Sequence, residues 1–542
     1  MHLRYVFKFP FIAAVMCAAA SVSLGACGGT DPVDDDVVAG AGEAQELTAE
    51  SAEALTCPAS VPHMDLRKSF LVTKERDQAI LSHDKFKLES VLKQIIASAG
   101  SSQDPEELYK RWWDTQNKAA NGAFPDAIHC DDNGMVDANN GRLNGFPYAC
   151  PRAEGALAQA DSHPFDPADD DFMEPIALVN RFDLTPPNGA HCGEYRIIYA
   201  KKSANIFDRN FIIFEAQLPN PHPECEVAAC LPVAQFWADL STLDDDTRKE
   251  KLKQFYIDGI PGFDPVIKAS HFMQGTGQIR TNQFMGSPWM LREFKLDKDN
   301  NGPNSSVRLF VKPVTVKDNP FGGLFSTSYI PDHTGDNRDV LFQSSFLGAL
   351  DGLVPLGDDE NDISLITLPT PDVYNAGESK VDLSSDDYTT RLQGNTAFIS
   401  SIETALDPIL QDRGLWPNAV TAEDAAARAT TQSCAGCHQL SGSGSLGGFH
   451  VWLGHDSSRT PGSFVHVNEQ GEISAQLEWK FLPHRWQVLK SFIEETSCEA
   501  ACPSTAASAA FSPISAAVSA TSADAPLDSE EHLPTLGGST TH

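Results

Sequence analysis

Residues 195–217 of the chain read YRIIYAKKSANIFDRNFIIFEAQ. Within this stretch, Tyr195–Tyr199 and Phe211–Gln217 are rich in β-branched and aromatic residues, which is typical of strands. Similar runs occur on both sides, and several alternate apolar with polar residues, as antiparallel strands with one solvated face do. The further strand-like runs are 176–182, 277–281, 290–295 and 306–312.

Three segments of the same region have a helical pattern: 106–118, 245–255 and 387–410. Strands and helices in this arrangement predict an α+β domain with a mostly antiparallel sheet over residues 57–415. The region is similar to stretches in uncharacterised secreted bacterial proteins, and that similarity implies no function. The chain contains no GxSxG or HExxH motif and no GxxxxGK[ST] phosphate-binding loop.

The charge balance restricts the class of partner. The 542 residues include 40 Lys and Arg against 74 Asp and Glu, so the net charge is −34. A field of this sign repels phosphate backbones and anionic head groups, which argues against nucleic acid as a partner. With 41% hydrophobic residues, the chain can still bury a substantial core.

The N-terminus has the pattern of an export signal. Arg4 and Lys8 precede an apolar stretch, 9–22, that is short for a permanent membrane span. The following Leu24–Cys27 reads LGAC and resembles the lipobox of bacterial lipoproteins. That resemblance implies cleavage after residue 26, acylation of Cys27 and anchoring to a membrane in the cell envelope, with the outer membrane favoured because no aspartate follows the cysteine. An ordinary secretory signal is the alternative.

Twelve cysteines are present. Cys17 belongs to the signal, Cys27 to the lipobox, and Cys434 and Cys437 to a motif described next. An even number therefore remains, which in an exported chain favours disulfides over zinc ligation. Proximity in sequence suggests two pairings, Cys130 with Cys150 and Cys498 with Cys502. The other four are Cys57, Cys192, Cys225 and Cys230.

Residues 434–438 read CAGCH. Two thiols three residues apart lie on one helical turn, from which both can form thioethers with one porphyrin, and the adjacent imidazole can ligate its iron. The segment thus matches the attachment motif of c-type haem, with Cys434 and Cys437 as attachment residues and His438 as iron ligand. A redox or structural disulfide is the alternative, but such CxxC sites follow a strand. Here Thr421 caps an alanine-rich helical segment.

A helix leading into CxxCH resembles the start of a class I cytochrome c domain, and the resemblance covers about residues 418–497. It implies a small all-α domain in which a second helix, 482–493, packs across the first. The predicted organisation is therefore a signal at 1–26, the acylated cysteine with an acidic disordered tether at 27–56, the α+β domain at 57–415, the cytochrome c-like domain at 416–502 and a disordered Ala/Ser/Thr/Pro tail at 503–542.

The second iron ligand is less evident, because no methionine follows Met290. His466 is favoured, since it lies in an apolar setting before the last helix, and His484 is the alternative. A histidine beside apolar residues is also commonly a packed core residue. The remaining candidates are His450 and His455 within the domain and Met273, Met285 and Met290 before it.

Residues 297–302 read DKDNNG and copy the first half of a calcium-binding loop. The twelfth position, however, is Arg308 instead of glutamate, and the loop joins two strand-like runs. A plain hairpin turn is therefore preferred over a calcium site.

These features predict a membrane-anchored c-type haem protein that carries electrons to or from a redox partner protein or a small-molecule donor or acceptor. Two other functions remain open. One is a peroxidase-like oxidoreductase with its substrate at the domain boundary. The other is a surface binding or scaffold protein in which haem is structural.

Overall fold

The structure is a computed structural model. It describes residues 64–132, 142–202, 205, 207–299, 307–327, 337–354, 366–381, 386–415, 417, 419–437, 467–475 and 477–496.

An eight-stranded sheet forms the centre of the described chain. Its strand order is β1-β4-β5-β6-β7-β8-β10, with β9 also paired to β8, and every pairing is antiparallel. A separate two-stranded ribbon pairs β2 with β3. The strands are β1 Leu71–Thr73, β2 Arg142–Leu143, β3 Phe146–Pro147, β4 Met173–Arg181, β5 His191–Lys201, β6 Asn210–Pro219, β7 Gln278–Gln283, β8 Met290–Asp299, β9 Arg308–Val314 and β10 Ser379–Lys380.

Helices precede, interrupt and follow these strands. They are α1 Leu66–Ser69, α2 Lys74–Leu81, α3 Leu88–Ser98, α4 Pro105–Asp114, α5 Leu231–Asp239, α6 Asp245–Lys253, α7 Arg338–Ala349, α8 Tyr388–Leu392, α9 Thr396–Asp412, α10 Ala422–Gln432 and α11 Leu482–Thr496. The α+β class and the antiparallel sheet predicted from the sequence are confirmed. None of the helices in the described ranges is both long and apolar enough to cross a membrane.

The first face of the sheet is apolar and packs against helices. Trp112 of α4 meets Phe294 of β8 edge-on, with ring centroids 5.5 Å apart. Trp237 of α5 stacks on Tyr195 of β5 at 5.7 Å. These rings belong to the largest hydrophobic cluster of the described residues. Because aromatic side chains bury large areas, this face supplies most of the driving force for folding the sheet.

The second face carries charged residues, and the expectation that it would be solvated is wrong. Glu194, Arg196, Glu215, Arg280 and Glu293 are all buried. The alternation of apolar and polar residues along the strands was therefore correctly assigned to two faces. The alternation does not indicate that distant segments of the chain cover the polar face of the sheet.

The individual elements agree closely with the sequence-based predictions. All six strand-like runs are strands, β4 to β9, and helical segments 106–118 and 245–255 correspond to α4 and α6. The segment 387–410 is instead divided into α8 and α9, because the chain turns at Gly394, whose φ of +86° is rarely adopted by other residues. Thr421 caps α10 as predicted, and Asp424 completes a reciprocal capping box.

The described parts of residues 416–502 pack against the α+β region. Helix α10 lies in a second hydrophobic cluster with α7, α8 and α9. Helix α11 instead packs on α5 and on the turn Phe182–Leu184, with the rings of Phe182 and Phe492 4.8 Å apart. The described neighbours of α10 thus come mainly from the preceding region. The expected packing of α11 across α10 stays a sequence-based prediction. The domain boundary at 415/416 stays a sequence-based prediction.

Five of the described cysteines are disulfide-bonded. Cys130 is bonded to Cys150, as proximity in sequence suggested. Cys192 is bonded to Cys230 across 38 residues, a pairing that the sequence did not single out. Cys225 is also disulfide-bonded. Cys57, Cys498 and Cys502 lie outside the described residues.

Candidate functional site

Pairing register brings opposite charges together on the second face. Arg181 of β4 lies opposite Glu194 of β5. Arg196 lies opposite Glu215 of β6. Arg280 of β7 lies opposite Glu293 of β8. Directly opposed residues of antiparallel strands point to the same side of the sheet, so these three pairs share one face.

Five of these six residues, all except Arg181, form a continuous chain of ion pairs. Arg196 places Nη2 3.4 Å from Glu194 Oε2 and Nε 3.4 Å from Glu215 Oε1. Arg280 places Nη1 3.1 Å from Glu215 Oε2 and Nη2 3.0 Å from Glu293 Oε2. The side chains are at most 6% exposed. We call this chain of five residues the buried charge ladder.

The ladder keeps its members ionised despite their burial. Desolvation alone would raise the pKa of Glu194, but Arg196 and Lys317 lower it to about 2. Desolvation likewise opposes the charge of Arg280, and the carboxylates of Glu215 and Glu293 more than compensate, so its pKa is raised. Strongly shifted groups packed together are more frequent at functional sites than elsewhere in proteins.

The turn that bears Cys434 and Cys437 follows α10 and is held by specific hydrogen bonds. The amide of Cys434 donates to Asn319 Oδ1 at 3.0 Å, and that of Ala435 donates to Ser379 Oγ at 3.0 Å. Ser433 Oγ accepts from the Gly436 amide at 2.9 Å. The turn is therefore anchored to segments far away in sequence.

Gly436 is required by close packing. A Cβ atom at this position would lie 1.6 Å from the carbonyl oxygen of Thr430, a backbone atom that cannot move independently. Of the two residues between the cysteines, the second must therefore be glycine in this conformation.

Both cysteines are buried against the sheet. Cys434 packs with Trp289, Leu291 and Val316, and Cys437 belongs to the largest hydrophobic cluster of the described residues. Cys434 interacts electrostatically with Arg280 and Glu293 of the ladder. Burial raises the pKa of the Cys434 thiol, so this group is neutral at physiological pH in the described conformation.

Helix α11 contributes a buried guanidinium beside the turn. Arg485 is 2% exposed and interacts with Cys437, Asp183, Arg181 and Arg196. Desolvation and the two neighbouring arginines lower its pKa well below the ordinary value, because they disfavour a further positive charge. The cysteines of the CxxC turn thus interact electrostatically with Arg280 on the sheet and with Arg485 on α11.

The other predicted site residues are distributed as follows. His484 is half-buried in the first turn of α11. Met273 and Met285 pack against the large cluster, and Met290 is fully buried in β8. Outside the described residues lie the lipidation site Cys27, the ligand candidates His438 and His466, and His450 and His455.

The calcium-like loop joins paired strands. Asp299 at the end of β8 lies opposite Arg308 at the start of β9, as expected for a hairpin. Residues 300–302 lie outside the described residues. In the part of the chain that the structure describes, no three His, Cys, Asp or Glu side chains form a group able to hold a metal ion.

Sequence reasoning missed the ladder and Arg485. Glu194 with Arg196 and Glu293 with Lys295 are spaced two residues apart, which was a signal for one shared face. Nothing local, however, indicated that this face would be buried. The helix that contains Arg485 was predicted correctly from its apolar spacing, but the burial of Arg485 was not predicted.

Comparison with known proteins found no matching family model, no matching curated protein and no matching solved structure. The fold and site therefore define the chain only as an α+β protein with a CxxC turn packed on a buried, charged sheet face.

Proposed function

We propose that the chain is a lipid-anchored envelope protein that carries one c-type haem and transfers electrons. Cys434 and Cys437 are the attachment residues and His438 is an iron ligand. The observation that carries the proposal is the position of the two cysteines: they share one buried turn at the end of α10, and they interact electrostatically with Arg280 of the ladder and with Arg485.

The residues around this turn fit such a group. The spacing of the two thiols suits two thioether bonds to one porphyrin. Arg485 Nε is a buried donor without a hydrogen-bond partner among the described residues, as expected where an anionic group belongs. When bound, haem supplies reversible one-electron exchange at its iron.

The protein side chains then have three tasks. The strands and α11 exclude water from the turn, because the described groups around it are buried. The ladder places fixed charges close to the redox centre, and such charges influence its potential. The hydrogen bonds that the Cys434 and Ala435 amides donate to Asn319 and Ser379 hold the attachment turn in place, which limits rearrangement on electron transfer.

The all-α, cytochrome c-like domain over 416–502 belongs to this proposal, with α10 and α11 as its principal helices. His466 is the favoured second iron ligand and His484 the alternative. Acylated Cys27 provides the membrane anchor, and the outer membrane is the favoured location. The net charge of −34 suits a redox partner with a basic docking surface.

The test is haem staining of the full chain, expressed in cells that mature c-type cytochromes and run on a denaturing gel. The parent should stain and show the absorbance bands of reduced c-type haem. Cys434→Ser with Cys437→Ser should abolish the stain, and His438→Ala should reduce or alter the spectrum. His163→Ala, at an exposed position, is the matched control and should stain like the parent. A parent chain that stays colourless contradicts the proposal.

Ligation and anchoring are tested with the same preparations. His466→Ala should convert the spectrum to that of a site with an altered or open sixth position, while His484→Ala should leave it unchanged. The reverse outcome assigns His484. Cys27→Ser should move the stained chain from the membrane fraction to the soluble fraction, whereas an unchanged distribution would exclude the lipid anchor.

A further inference from the structure

Strand β5 contains a β-bulge that brings His191 to the charged face of the sheet. His191 lies opposite Pro219 of β6. Glu194 lies opposite Gln217, so three steps along β5 match two steps along β6. In a regular strand, residues three apart point to opposite faces. The extra residue therefore places His191 on the same face as Glu194, and bulges of this kind redirect side chains next to functional sites.

The bulge is constrained by a glycine and a disulfide. Gly193 adopts a φ of +87°, and a Cβ at this position would lie 2.9 Å from the carbonyl oxygen of Arg181. The adjacent Cys192 is bonded to Cys230. The backbone that carries the imidazole is therefore held in one position.

The imidazole of His191 is half-buried and has nitrogen atoms to spare. Neither of its ring nitrogens has a hydrogen-bond partner among the described residues. Nδ1 is enclosed by protein, whereas Nε2 is accessible. Desolvation lowers the pKa of His191 from its ordinary value of 6.5, so the ring is neutral at physiological pH. A ligand can thus reach His191 through Nε2.

Lys317 contacts the same face from the segment that follows β9. Its amide donates to Glu293 Oε2 at 3.2 Å, which places the residue beside the buried charge ladder. The next residue, Asp318, has a φ of +54°, and its Oδ1 accepts from the Thr370 amide at 3.0 Å. Non-glycine residues with this left-handed backbone are uncommon and are concentrated at functional sites.

The ammonium group of Lys317 lies in a concave part of the surface. Its side chain is exposed, and no hydrogen bond or ion pair joins Nζ to another described residue. Surrounding protein nevertheless desolvates the group, while Asp318 and Glu194 raise its pKa, so it stays protonated. A group that is both accessible to water and surrounded by protein lies in a cleft. Its three donors are therefore available to a ligand.

Glu194 does not use these donors, because it is already bound. Arg196 Nη2 lies 3.4 Å from its Oε2, and Gln217 Nε2 donates to its Oε1 at 3.4 Å. His191 and Lys317 both interact electrostatically with Glu194 and with each other. The cleft thus combines an uncommitted ammonium with an uncommitted imidazole.

We propose that Lys317 Nζ and His191 Nε2 bind one small oxyanion, a carboxylate or a phosphate, in this cleft. Such oxygens accept hydrogen bonds from an ammonium and from a protonated imidazole, and charge on the donors strengthens these bonds. The residues involved do not belong to the CxxCH motif, so the inference does not depend on the proposed function.

The experiment is calorimetric titration of the full chain with inorganic phosphate and, separately, with succinate, against chloride at equal ionic strength. The parent should bind at one site per chain. Lys317→Met should weaken the affinity about tenfold or more, as expected for loss of a hydrogen bond between charged groups. Lys118→Met, at another exposed lysine, is the matched control and should bind like the parent.

An NMR titration of the histidine ring protons provides a second measurement. Saturating ligand should raise the pKa of His191, because a bound anion favours the imidazolium form. His191→Gln identifies the resonance and should weaken binding, whereas His163→Gln, at an exposed position, should not. An unchanged thermal midpoint would show that each variant is folded.

A response to one of the two anions supports the inference and identifies the oxyanion, and a response to both supports it for the class. If neither anion binds more tightly than chloride, the inference fails. It also fails if Lys317→Met binds as tightly as Lys118→Met, or if the ligand leaves the pKa of His191 unchanged. If His191→Gln does not fold, the two lysine variants decide alone.

Discussion

The Arg280 guanidinium lies 3.1 Å from the Glu215 carboxylate at the centre of the sheet, where both side chains are almost completely buried. Arg280 also pairs with Glu293 on the neighbouring strand. One cation thus compensates two buried anions, so its removal leaves both carboxylates in a medium of low polarity.

Arg280→Met should therefore destabilise the chain strongly. We expect the free energy of unfolding to fall by about 3–5 kcal/mol, the range for breaking a buried ion pair from one side. Chemical denaturation followed by tryptophan fluorescence measures it. The control is Arg308→Met, since Arg308 pairs with Asp126 on the exposed surface; its cost should be about 0–1 kcal/mol. Equal losses of unfolding free energy for the two variants would show that the ion pairs of the ladder stabilise the fold no more than an exposed pair does.

The lowered pKa of Glu194 predicts a specific loss of stability in acid. The folded value is about 2 and the ordinary value 4.5. A carboxyl group with a lower pKa in the folded state stabilises the fold above its unfolded pKa, and this contribution disappears as the pH falls through the folded pKa. The loss should therefore occur between pH 4.5 and 2.

Measuring unfolding free energies of the parent and Glu194→Gln against pH tests this expectation. The parent should be the more stable chain at pH 6, and the difference should shrink toward pH 2. A difference that stays constant over the whole range would mean that ionisation of Glu194 does not contribute to stability.

Gly436→Ala should disrupt the attachment turn, since the added methyl group would collide with the Thr430 carbonyl. Overpacking of this kind costs about 1–3 kcal/mol or more, and haem loading should fall with it. Gly348→Ala is a matched control within α7, where a Cβ meets nothing within 4 Å. It should stabilise the chain slightly, by up to about 1 kcal/mol. Denaturation midpoints measure the change in stability, and haem staining measures the change in haem loading. If Gly436→Ala were loaded with haem as fully as the parent, the described turn would be contradicted.

Burial also predicts the reactivity of the attachment cysteines in chain matured without haem. Cys434 and Cys437 are 1% and 0% exposed. A maleimide should label them more slowly than an exposed thiol by about 100-fold or more. The reagent can reach a buried thiol only after local unfolding, which costs a free energy of about 3 kcal/mol. Ser400→Cys supplies the exposed reference on α9. Equally fast labelling, without denaturant, would show that the turn is not packed as described.

Much of the fold was predictable from sequence because its signals are local. Tyr195–Tyr199 and Phe211–Gln217 are strands since β-branched and aromatic residues suit a pleated, buried surface. Thr421 begins α10 since its hydroxyl accepts from the Asp424 amide. The division between α8 and α9 was missed, although Gly394 was a visible signal for it.

The candidate site was predictable only at its two cysteines. Their spacing is a property of five consecutive residues, and the same holds for the placement of His438 after them. The partners Asn319, Ser379 and Arg280 come from distant segments, and no periodicity links them to the motif. Arg485 lies on a helix whose apolar pattern was recognised, but the pattern does not specify which neighbours that helix meets.

The amino-acid sequence by itself determined the element types, the two faces of each strand and the chemistry of the CxxCH motif, because propensity, periodicity and motif spacing act over a few residues. Tertiary structure alone decided that the charged face is buried, that Arg280 bridges Glu215 and Glu293, and that Arg485 is buried near Asp183. Burial and charge pairing depend on which remote segment covers a surface, and that choice is made by the packing of the whole chain.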